Sequence, residues 1–310
     1  MKSLRQAVHD YLELRRGLGF KLEKHEPALL QFVAFLAKNK ALHITTELAL
    51  RWATQNPHQR PAEWAARLSF VRGFARHWSG TDPRTEIPST GLLPYRPGRA
   101  KPYIYSELEI QKLLDAARRL RAANPLKARM YYCLLGLLAV TGMRISEALN
   151  LQSTDVDWAE GVLTVRKTKF GKSRLVPLHP STRKVLRDYV RRRDGHFAGR
   201  SVSYLFVSGT GRRVDVGDVR RTFYRLSRQI GLRGTSSSHG PRLHDFRHRF
   251  AVQTLVSWYR QKQDPMRLLP VLATYLGHGH VTDTYWYLTI TPELLTAAGQ
   301  RLEKRWKGLA

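Results

Sequence analysis

The feature that most limits the fold is a proline-rich stretch between residues 80 and 102. It holds five prolines, which are Pro83, Pro88, Pro94, Pro97 and Pro102. Proline lacks a backbone N–H and has a fixed φ, so such a stretch sustains neither a helix nor a central strand. We therefore predict a semi-extended linker over residues 81–102, which divides the 310-residue chain into two domains.

Residues 1–80 carry the apolar spacing of short amphipathic helices. Aliphatic and aromatic side chains recur at intervals of three and four residues in four successive segments. The segments are residues 4–16, 27–38, 46–52 and 61–78. Thr45 or Thr46 caps the third, and Pro61 opens the fourth. We therefore predict a compact all-α domain over residues 1–80.

Beyond the linker, a hairpin pattern and a short strand at Tyr204–Val207 interrupt a series of helical patterns. Ser106–Glu109 is a capping box that opens a helix. The alternating run Val162–Val165, a turn at Phe170-Gly171 and a second run at 174–178 predict a β-hairpin. Further helical patterns cover residues 125–138, 143–149, 181–193, 216–230, 244–262, 265–276 and 292–307. The predicted fold class is mainly α with a small β-sheet or hairpin (α+β).

The chain is strongly basic, with 53 Lys and Arg against 24 Asp and Glu, a formal net charge of +29. Nucleic acid is the commonest polyanionic partner of such a protein, so we expect double-stranded DNA to bind. Residues 1–100 carry net +8 and residues 101–310 net +21, so both halves are expected to touch DNA. Basic residues expected to contact DNA are Arg67, Arg72, Arg76, Arg96, Arg99 and Lys101. For the three in helix 61–78, an ordinary solvated face is the alternative.

Cys133 is the one cysteine and lies in the apolar run Met130–Val140. A single thiol excludes an intramolecular disulfide and makes a cysteine-based metal site improbable. The apolar run is too short to span a bilayer, and the charged N-terminal segment lacks the apolar core of a signal peptide. We expect a cytoplasmic, nucleoid-associated protein with no membrane partner.

Six side chains in the second half together suit nucleophilic attack on a phosphodiester. They are Arg144, Lys169, His244, Arg247, His278 and Tyr287. A tyrosine hydroxyl has a pKa near 10, so it needs a base or cationic surroundings before it can attack. Two guanidinium groups neutralise the charge that builds on the non-bridging oxygens, and a lysine or histidine protonates the leaving 5′-oxygen. This chemistry requires no metal and no other cofactor.

Each of these residues also has an ordinary structural explanation when taken singly. Arg144 can pair with Glu147 one helical turn on, and Lys169 beside a hairpin turn can be solvent-exposed. His244 can cap a helix, and Tyr287 can be a core residue. The chemical interpretation therefore depends on the whole set and its spacing.

Four motifs follow one another over about 145 residues. They are TGMRISEAL at Thr141–Leu149, KFGKSRLVPL at Lys169–Leu178, HDFRH at His244–His248, and Leu276-Gly-His278 with Tyr287 nine residues later. The set resembles, in order, the first arginine box, the lysine hairpin, the His-x-x-Arg box and the final box of the tyrosine recombinases, also called the phage integrase family. The residues before the linker match that family's helical core-binding domain only in general character.

The resemblance implies that Tyr287 is the nucleophile. It would attack the scissile phosphate, leaving a 3′-phosphotyrosyl link and a free 5′-hydroxyl. Arg144 and Arg247 would hold the non-bridging oxygens as an oxyanion hole. Glu147, one turn from Arg144, would orient that arginine.

The resemblance also assigns the proton transfers. Lys169 would protonate the leaving 5′-oxygen, while His244 and His278 would assist proton transfer and bind phosphate. Because the phosphotyrosyl link keeps the energy of the ester, another strand's 5′-hydroxyl can reverse the reaction without ATP or a metal. Lys172 and Arg174 are expected to contact DNA beside this site.

Three assignments keep an alternative at this point, and the first is His278, since His280 lies two residues further on. Tyr285 lies two residues from Tyr287, and the spacing from the final histidine box favours Tyr287. In the hairpin, Lys172 and Lys167 compete with Lys169, which the alignment on the following Arg-Leu-Val-Pro-Leu favours.

In domain terms, the resemblance makes residues 1–80 a core-binding domain and residues 103–291 a catalytic domain. The C-terminal helix 292–310 would pack on its own domain or dock on a neighbouring protomer. The expected assembly is a homo-oligomer on DNA, with a dimer at each site and a tetrameric synapse, and partner recombinases of the same mobile element are a further expectation.

The implied function is site-specific recombination for the integration, excision or transposition of mobile DNA. A non-catalytic DNA-binding accessory protein on the same fold is the main alternative, and a relaxing topoisomerase with the same tyrosine chemistry is another. The complete set of reactive residue types and the separate helical domain favour recombination.

Overall fold

The computed structural model describes residues 3–93, 101–121, 124–166, 173–198, 200–235 and 240–307. The chain divides into two compact units, Met1–Ala100 and Lys101–Ala310. Each unit encloses buried apolar side chains of its own, so each has a separate hydrophobic core.

In its described residues the first unit folds into four α-helices, in agreement with the four amphipathic segments of the sequence. They are α1 (Leu4–Gly17), α2 (His25–Lys38), α3 (Thr46–Thr54) and α4 (Pro61–Trp78). Phe32, Trp52 and Phe74 are fully buried and fill the space between them. The side chains of Ser3 and Thr45 cap α1 and α3 by accepting backbone N–H groups of the first turn.

The beginning of the proline-rich stretch is bound to the first unit. The Glu86 carboxylate accepts the backbone N–H of Thr46 at 2.8 Å, at the start of α3. Arg72 of α4 donates from Nε to the Pro88 carbonyl at 2.7 Å. Two residues of the predicted linker 81–102 are thus held against the first unit, Glu86 by its own carboxylate and Pro88 by the Arg72 side chain.

In its described residues the second unit contains nine further α-helices. They are α5 (Glu107–Arg118), α6 (Pro125–Thr141), α7 (Ile145–Asn150), α8 (Pro180–His196), α9 (Val216–Gln229), α10 (Asp245–Arg260), α11 (Pro265–Leu276), α12 (Thr282–Tyr285) and α13 (Pro292–Lys307). The apolar helix α6 lies centrally and packs against α5, α8 and α10. No helix in the described part of the chain is both long and apolar enough to cross a membrane.

A small antiparallel sheet accompanies the helices, with strand order β1-β2-β3. The strands are β1 (Val156–Asp157), β2 (Val162–Val165) and β3 (Arg174–Pro177). Val162 pairs with Pro177 and Val165 with Arg174, which is the register of a hairpin. The predicted fold class, mainly α with a small β-sheet, is confirmed.

Helix α6 ends at Gly142, where the chain approaches α10 closely. Gly142 has a φ of +61°, in the left-handed region that favours glycine. A Cβ placed there would lie 2.7–2.9 Å from side-chain atoms of Phe250 on α10. The absence of a side chain at Gly142 thus lets α10 reach the segment that leads into α7.

We expect Gly142→Ala to lower the free energy of unfolding of the second unit by about 2–4 kcal/mol. The substitution adds left-handed backbone strain and forces the Phe250 ring to move. Gly136→Ala is the matched control within α6, because its Cβ would meet Leu114 at an ordinary 3.8 Å. Urea unfolding followed by circular dichroism measures both, and equal stabilities of the two variants would contradict the role given to Gly142.

Candidate active site

Arg144 lies between Gly142 and the first turn of α7. Its Nη1 donates to Glu147 Oε1 at 2.9 Å, and Glu147 Oε2 accepts the Arg144 backbone N–H at 2.9 Å. One carboxylate therefore caps the helix and holds the guanidinium at the same time. The Arg144 side chain is 25% exposed, so part of the guanidinium faces solvent.

Arg247 lies in the first turn of α10 and is buried. Its Nη1 donates to the Gly142 carbonyl at 3.2 Å and its Nη2 to the Leu276 carbonyl at 2.5 Å. Burial, and then the positive charge of Arg144, lower the pKa of Arg247 to about 10, so it remains a cation at neutral pH. This side chain joins the ends of α6 and α11.

Three consecutive carbonyl groups at the C-terminal end of α11, those of residues 275–277, accept hydrogen bonds from arginines. Arg174 Nε donates to the first at 2.7 Å, Arg247 to the second, and Arg144 to the third at 3.4 Å. The helix ends at Gly277, whose φ is +67°. Because the C-terminal end of a helix carries partial negative charge, it stabilises the cations gathered there.

Arg174, the first residue of β3, is placed differently from the DNA contact expected of it. Its side chain is 8% exposed and meets both oxygens of Glu147, with Nη1 at 3.1 Å from Oε1 and Nη2 at 2.7 Å from Oε2. A buried ion pair thus engages the guanidinium, and the DNA contact expected of Arg174 stays a prediction. Burial by itself raises the pKa of Glu147, but Arg174 and then Arg144 bring it below its ordinary value, so Glu147 is a carboxylate.

His278 follows the end of α11 and lies beside the arginines. Its Nδ1 is 2.7 Å from the Thr284 hydroxyl oxygen, a contact that fixes the ring. Burial, and then the charges of Arg247 and Arg144, lower the pKa of His278 to about 4. The imidazole is therefore neutral at pH 7 and can accept a proton.

Tyr287 lies against this histidine, with ring centroids 6.1 Å apart and planes 12° from parallel. Tyr287 is 2% exposed, and its phenol lies near enough to Arg247 to act on the pKa of that guanidinium, which it raises. Tyr285, by contrast, is 43% exposed. Of the two tyrosines considered from the sequence, Tyr287 therefore lies in the cluster formed by Arg144, Arg174, Arg247 and His278.

His244 immediately precedes α10, and His248 lies one turn further on. The ring of His248 is 4.7 Å from that of His244, 5.7 Å from Tyr287 and 5.1 Å from Trp286. Desolvation by the surrounding protein, and then the charge of Arg247, lower the pKa of His244 to about 4. His248 was missed from the sequence, although its helical spacing from His244 could have indicated a shared face.

Three predicted DNA-contact residues lie on α4. Arg67 covers the Trp52 ring at 3.9 Å and donates to the Trp52 carbonyl at 3.0 Å. Arg72 binds the chain near Pro88, as described for the linker. Both side chains thus have structural partners that the sequence did not indicate, whereas Arg76 is exposed.

The other predicted contacts are only partly visible. Lys101 is exposed at the start of the second unit. The hairpin lysines and two linker arginines lie outside the described residues; they are Lys167, Lys169, Lys172, Arg96 and Arg99. Within the part of the chain that the structure describes, no group of three or more His, Cys, Asp or Glu could hold a metal ion.

The family model described as the phage integrase family matches residues 105–293. The chain belongs to this family, which confirms the resemblance drawn from the four motifs. A Sinorhizobium fredii protein, y4rB, described as an integrase/recombinase, is 58% identical over 311 residues, or 99% of each chain. Tyrosine recombinase XerD of Caulobacter vibrioides is 30% identical over 239 residues, covering 76% of this chain and 73% of that protein.

Two solved structures share the fold. The Tn1549 transposon integrase in complex with transposon right end DNA superposes with a TM-score of 0.68 at 16% identity, covering 98% of this chain and 99% of that one. The XerH site-specific recombinase bound to a palindromic difH substrate has a TM-score of 0.65 at 19% identity, covering 91% and 80%. At these identities the likeness shows the fold.

We expect His248 to make the second unit sensitive to acid. Burial, and then the neighbouring His244, lower its pKa from 6.5 to about 4, so protonation below pH 6.5 favours the unfolded chain. Stability is therefore present above pH 6.5 and is lost as the pH falls toward 4. His248→Gln should reduce the loss between pH 7 and pH 5 by about 2 kcal/mol.

Urea unfolding at the two pH values measures this difference. His58→Gln, an exposed position in the first unit, is the control for removing any histidine. If His248→Gln and the unsubstituted protein lost the same stability on acidification, the role given to His248 would be wrong.

Proposed function

We propose that this chain is a site-specific DNA recombinase that cleaves and rejoins strands through a 3′-phosphotyrosyl intermediate, for the integration, excision or transposition of mobile DNA. The observation that carries the proposal is the convergence of Arg144, Arg247, His278 and Tyr287 in one site of the second unit. These four side chains are of the kinds that attack on a phosphodiester needs, and the family membership supports the assignment.

Arg144 and Arg247 would bind the scissile phosphate. Arg144 presents the more accessible guanidinium, while Arg247 is a buried cation that donates to the same Leu276 carbonyl. Guanidinium groups held in place before the reaction stabilise the charge that grows on the non-bridging oxygens, without reorganisation during the step. Both side chains are held by backbone carbonyls that the folded chain fixes, which supports this role.

In the chemical step, Tyr287 would attack the phosphorus and the 5′-oxygen would leave. Tyr287 Oη forms a bond to phosphorus, and the bond from phosphorus to the 5′-oxygen breaks. The neutral imidazoles of His244 and His278 can take up the tyrosine proton, and the bound phosphate raises their pKa as it arrives. Lys169 would supply the proton to the leaving 5′-oxygen. Attack by another strand's 5′-hydroxyl reverses these steps and releases Tyr287.

The proposed partner is double-stranded DNA, bound by a homo-oligomer with a dimer on each site and a tetramer in the synapse. The net charge of +29 supports phosphate binding. Related structures include XerH on its difH substrate and a lambda integrase dimer on a core site. We also propose that partner recombinases of the same mobile element take part. The chain would act at the nucleoid, in the cytoplasm.

We expect a covalent protein–DNA adduct on a suicide substrate carrying the cognate site with a nick near the cleavage point. Tyr287→Phe should lower adduct formation by more than about 1,000-fold, because it removes the nucleophile. Tyr285→Phe is the matched control, two residues away and exposed, and should retain most of the activity. Denaturing gel electrophoresis measures the adduct, and loss of the adduct in Tyr285→Phe alone would identify the other tyrosine as the nucleophile.

The same adduct should form in EDTA, because guanidinium groups replace a metal at the phosphate. DNA binding should weaken steeply with salt: a plot of log K against log salt concentration should have a slope of about −0.9 for each phosphate neutralised. Strict dependence of cleavage on magnesium would rule out the mechanism proposed, while a flat salt dependence would argue against extensive phosphate contact.

A further inference from the structure

Arg174 is the one arginine of the cluster that the proposed mechanism leaves without a task. It is nearly enclosed, it binds Glu147 through both terminal nitrogens, and its Nε holds the Tyr275 carbonyl at 2.7 Å. It also packs on the turn after α11, since a Cβ on Gly277 would lie 2.9 Å from Arg174 Nη1. A side chain so occupied does not touch substrate, so any contribution to the reaction acts through its neighbours.

We propose that Arg174 is a positioning residue that offsets the charge of Glu147 and so keeps Arg144 available to the scissile phosphate. This inference rests on the proposed function of the site. Without Arg174, Arg144 is the remaining ion-pair partner of Glu147 among the residues that the structure describes, at 2.9 Å, and its guanidinium would be drawn to both carboxylate oxygens. With Arg174 occupying both carboxylate oxygens, Arg144 shares only one of them through its side chain.

Charge balance supports the same assignment. Arg144, Arg174 and Arg247 with Glu147 amount to three guanidinium groups and one carboxylate, a formal net charge of +2. The pentacoordinate state reached when a phosphodiester is attacked carries two negative charges, which this cluster matches. Removing Arg174 would leave +1 and an undercompensated carboxylate beside the phosphate, which opposes the growth of negative charge there.

The contacts of Arg174 also join two chain segments. Arg174 begins β3, whose hairpin carries the candidate lysines, and its Nε contact reaches the end of α11 beside His278. A lysine at this position would keep the charge but meet only one oxygen at a time, because an ammonium lacks the planar fork of guanidinium. Arg174→Met, which removes the charge, and Arg174→Lys, which keeps it, therefore separate the effect of the charge from that of the hydrogen-bond geometry.

The experiment measures the single-turnover rate of adduct formation at saturating DNA, and the dissociation constant for DNA separately. Arg174→Met should slow the rate by about 10- to 100-fold, the range typical of residues that orient catalytic groups, with DNA affinity nearly unchanged. Arg174→Lys should recover part of the rate. Glu147→Gln combined with Arg174→Met restores the net charge of +2 and should be faster than Arg174→Met alone.

Arg193→Met is the matched control for the loss of a buried arginine. Its side chain is 3% exposed and donates to the Tyr204 and Leu205 carbonyls at 2.8 and 3.0 Å. It should lower the melting temperature as Arg174→Met does, yet leave the rate at saturating DNA close to that of the unsubstituted protein.

The outcomes separate the two proposals. If the unsubstituted protein forms no adduct with its site, the proposed function falls, and the role of Arg174 falls with it. If the unsubstituted protein forms the adduct while Arg174→Met is equally fast, or while the double variant is as slow as Arg174→Met, only the inference about Arg174 is overturned.

Discussion

Three guanidinium groups lie close together in the second unit, and the site is stable only if their mutual repulsion is offset. The offset comes from the Glu147 carboxylate and from the carbonyl end of α11, which together contact Arg144, Arg174 and Arg247. Burying like charges costs free energy, and that cost is recovered only where every guanidinium finds acceptors with good geometry. The polar network therefore joins the ends of α6 and α11 to α7, α10 and β3.

The partners in this network are far apart in sequence, so the site exists only in the folded unit. The bond from Arg144 to the Leu276–Gly277 turn spans more than 130 residues, and that from Arg247 to Gly142 spans 105. No local segment can organise the proposed phosphate site alone. Folding and the assembly of the site are consequently one process, and stability measurements on the second unit also report on the integrity of the site.

Local patterns predicted the elements well, because helical spacing, capping boxes and strand alternation are properties of short segments. The four helices of the first unit and the hairpin are examples. The motifs also located the residues that converge at Tyr287. The partners of Arg174 and Arg72 were not predicted, since a carboxylate 27 residues away and a carbonyl 16 residues away become neighbours only in three dimensions. His248 was missed because its burial against Tyr287 is likewise a tertiary property.

The close approach of Gly142 to Phe250 has a consequence for how related sequences can be combined. Phe250 occupies the space that a side chain at position 142 would need, so Phe250 in this position requires a glycine at 142. A chimera that takes α6 from one parent and α10 from another would separate this pair whenever the parents differ at either position. The two helices should therefore be exchanged together, with positions 142 and 250 taken from the same parent.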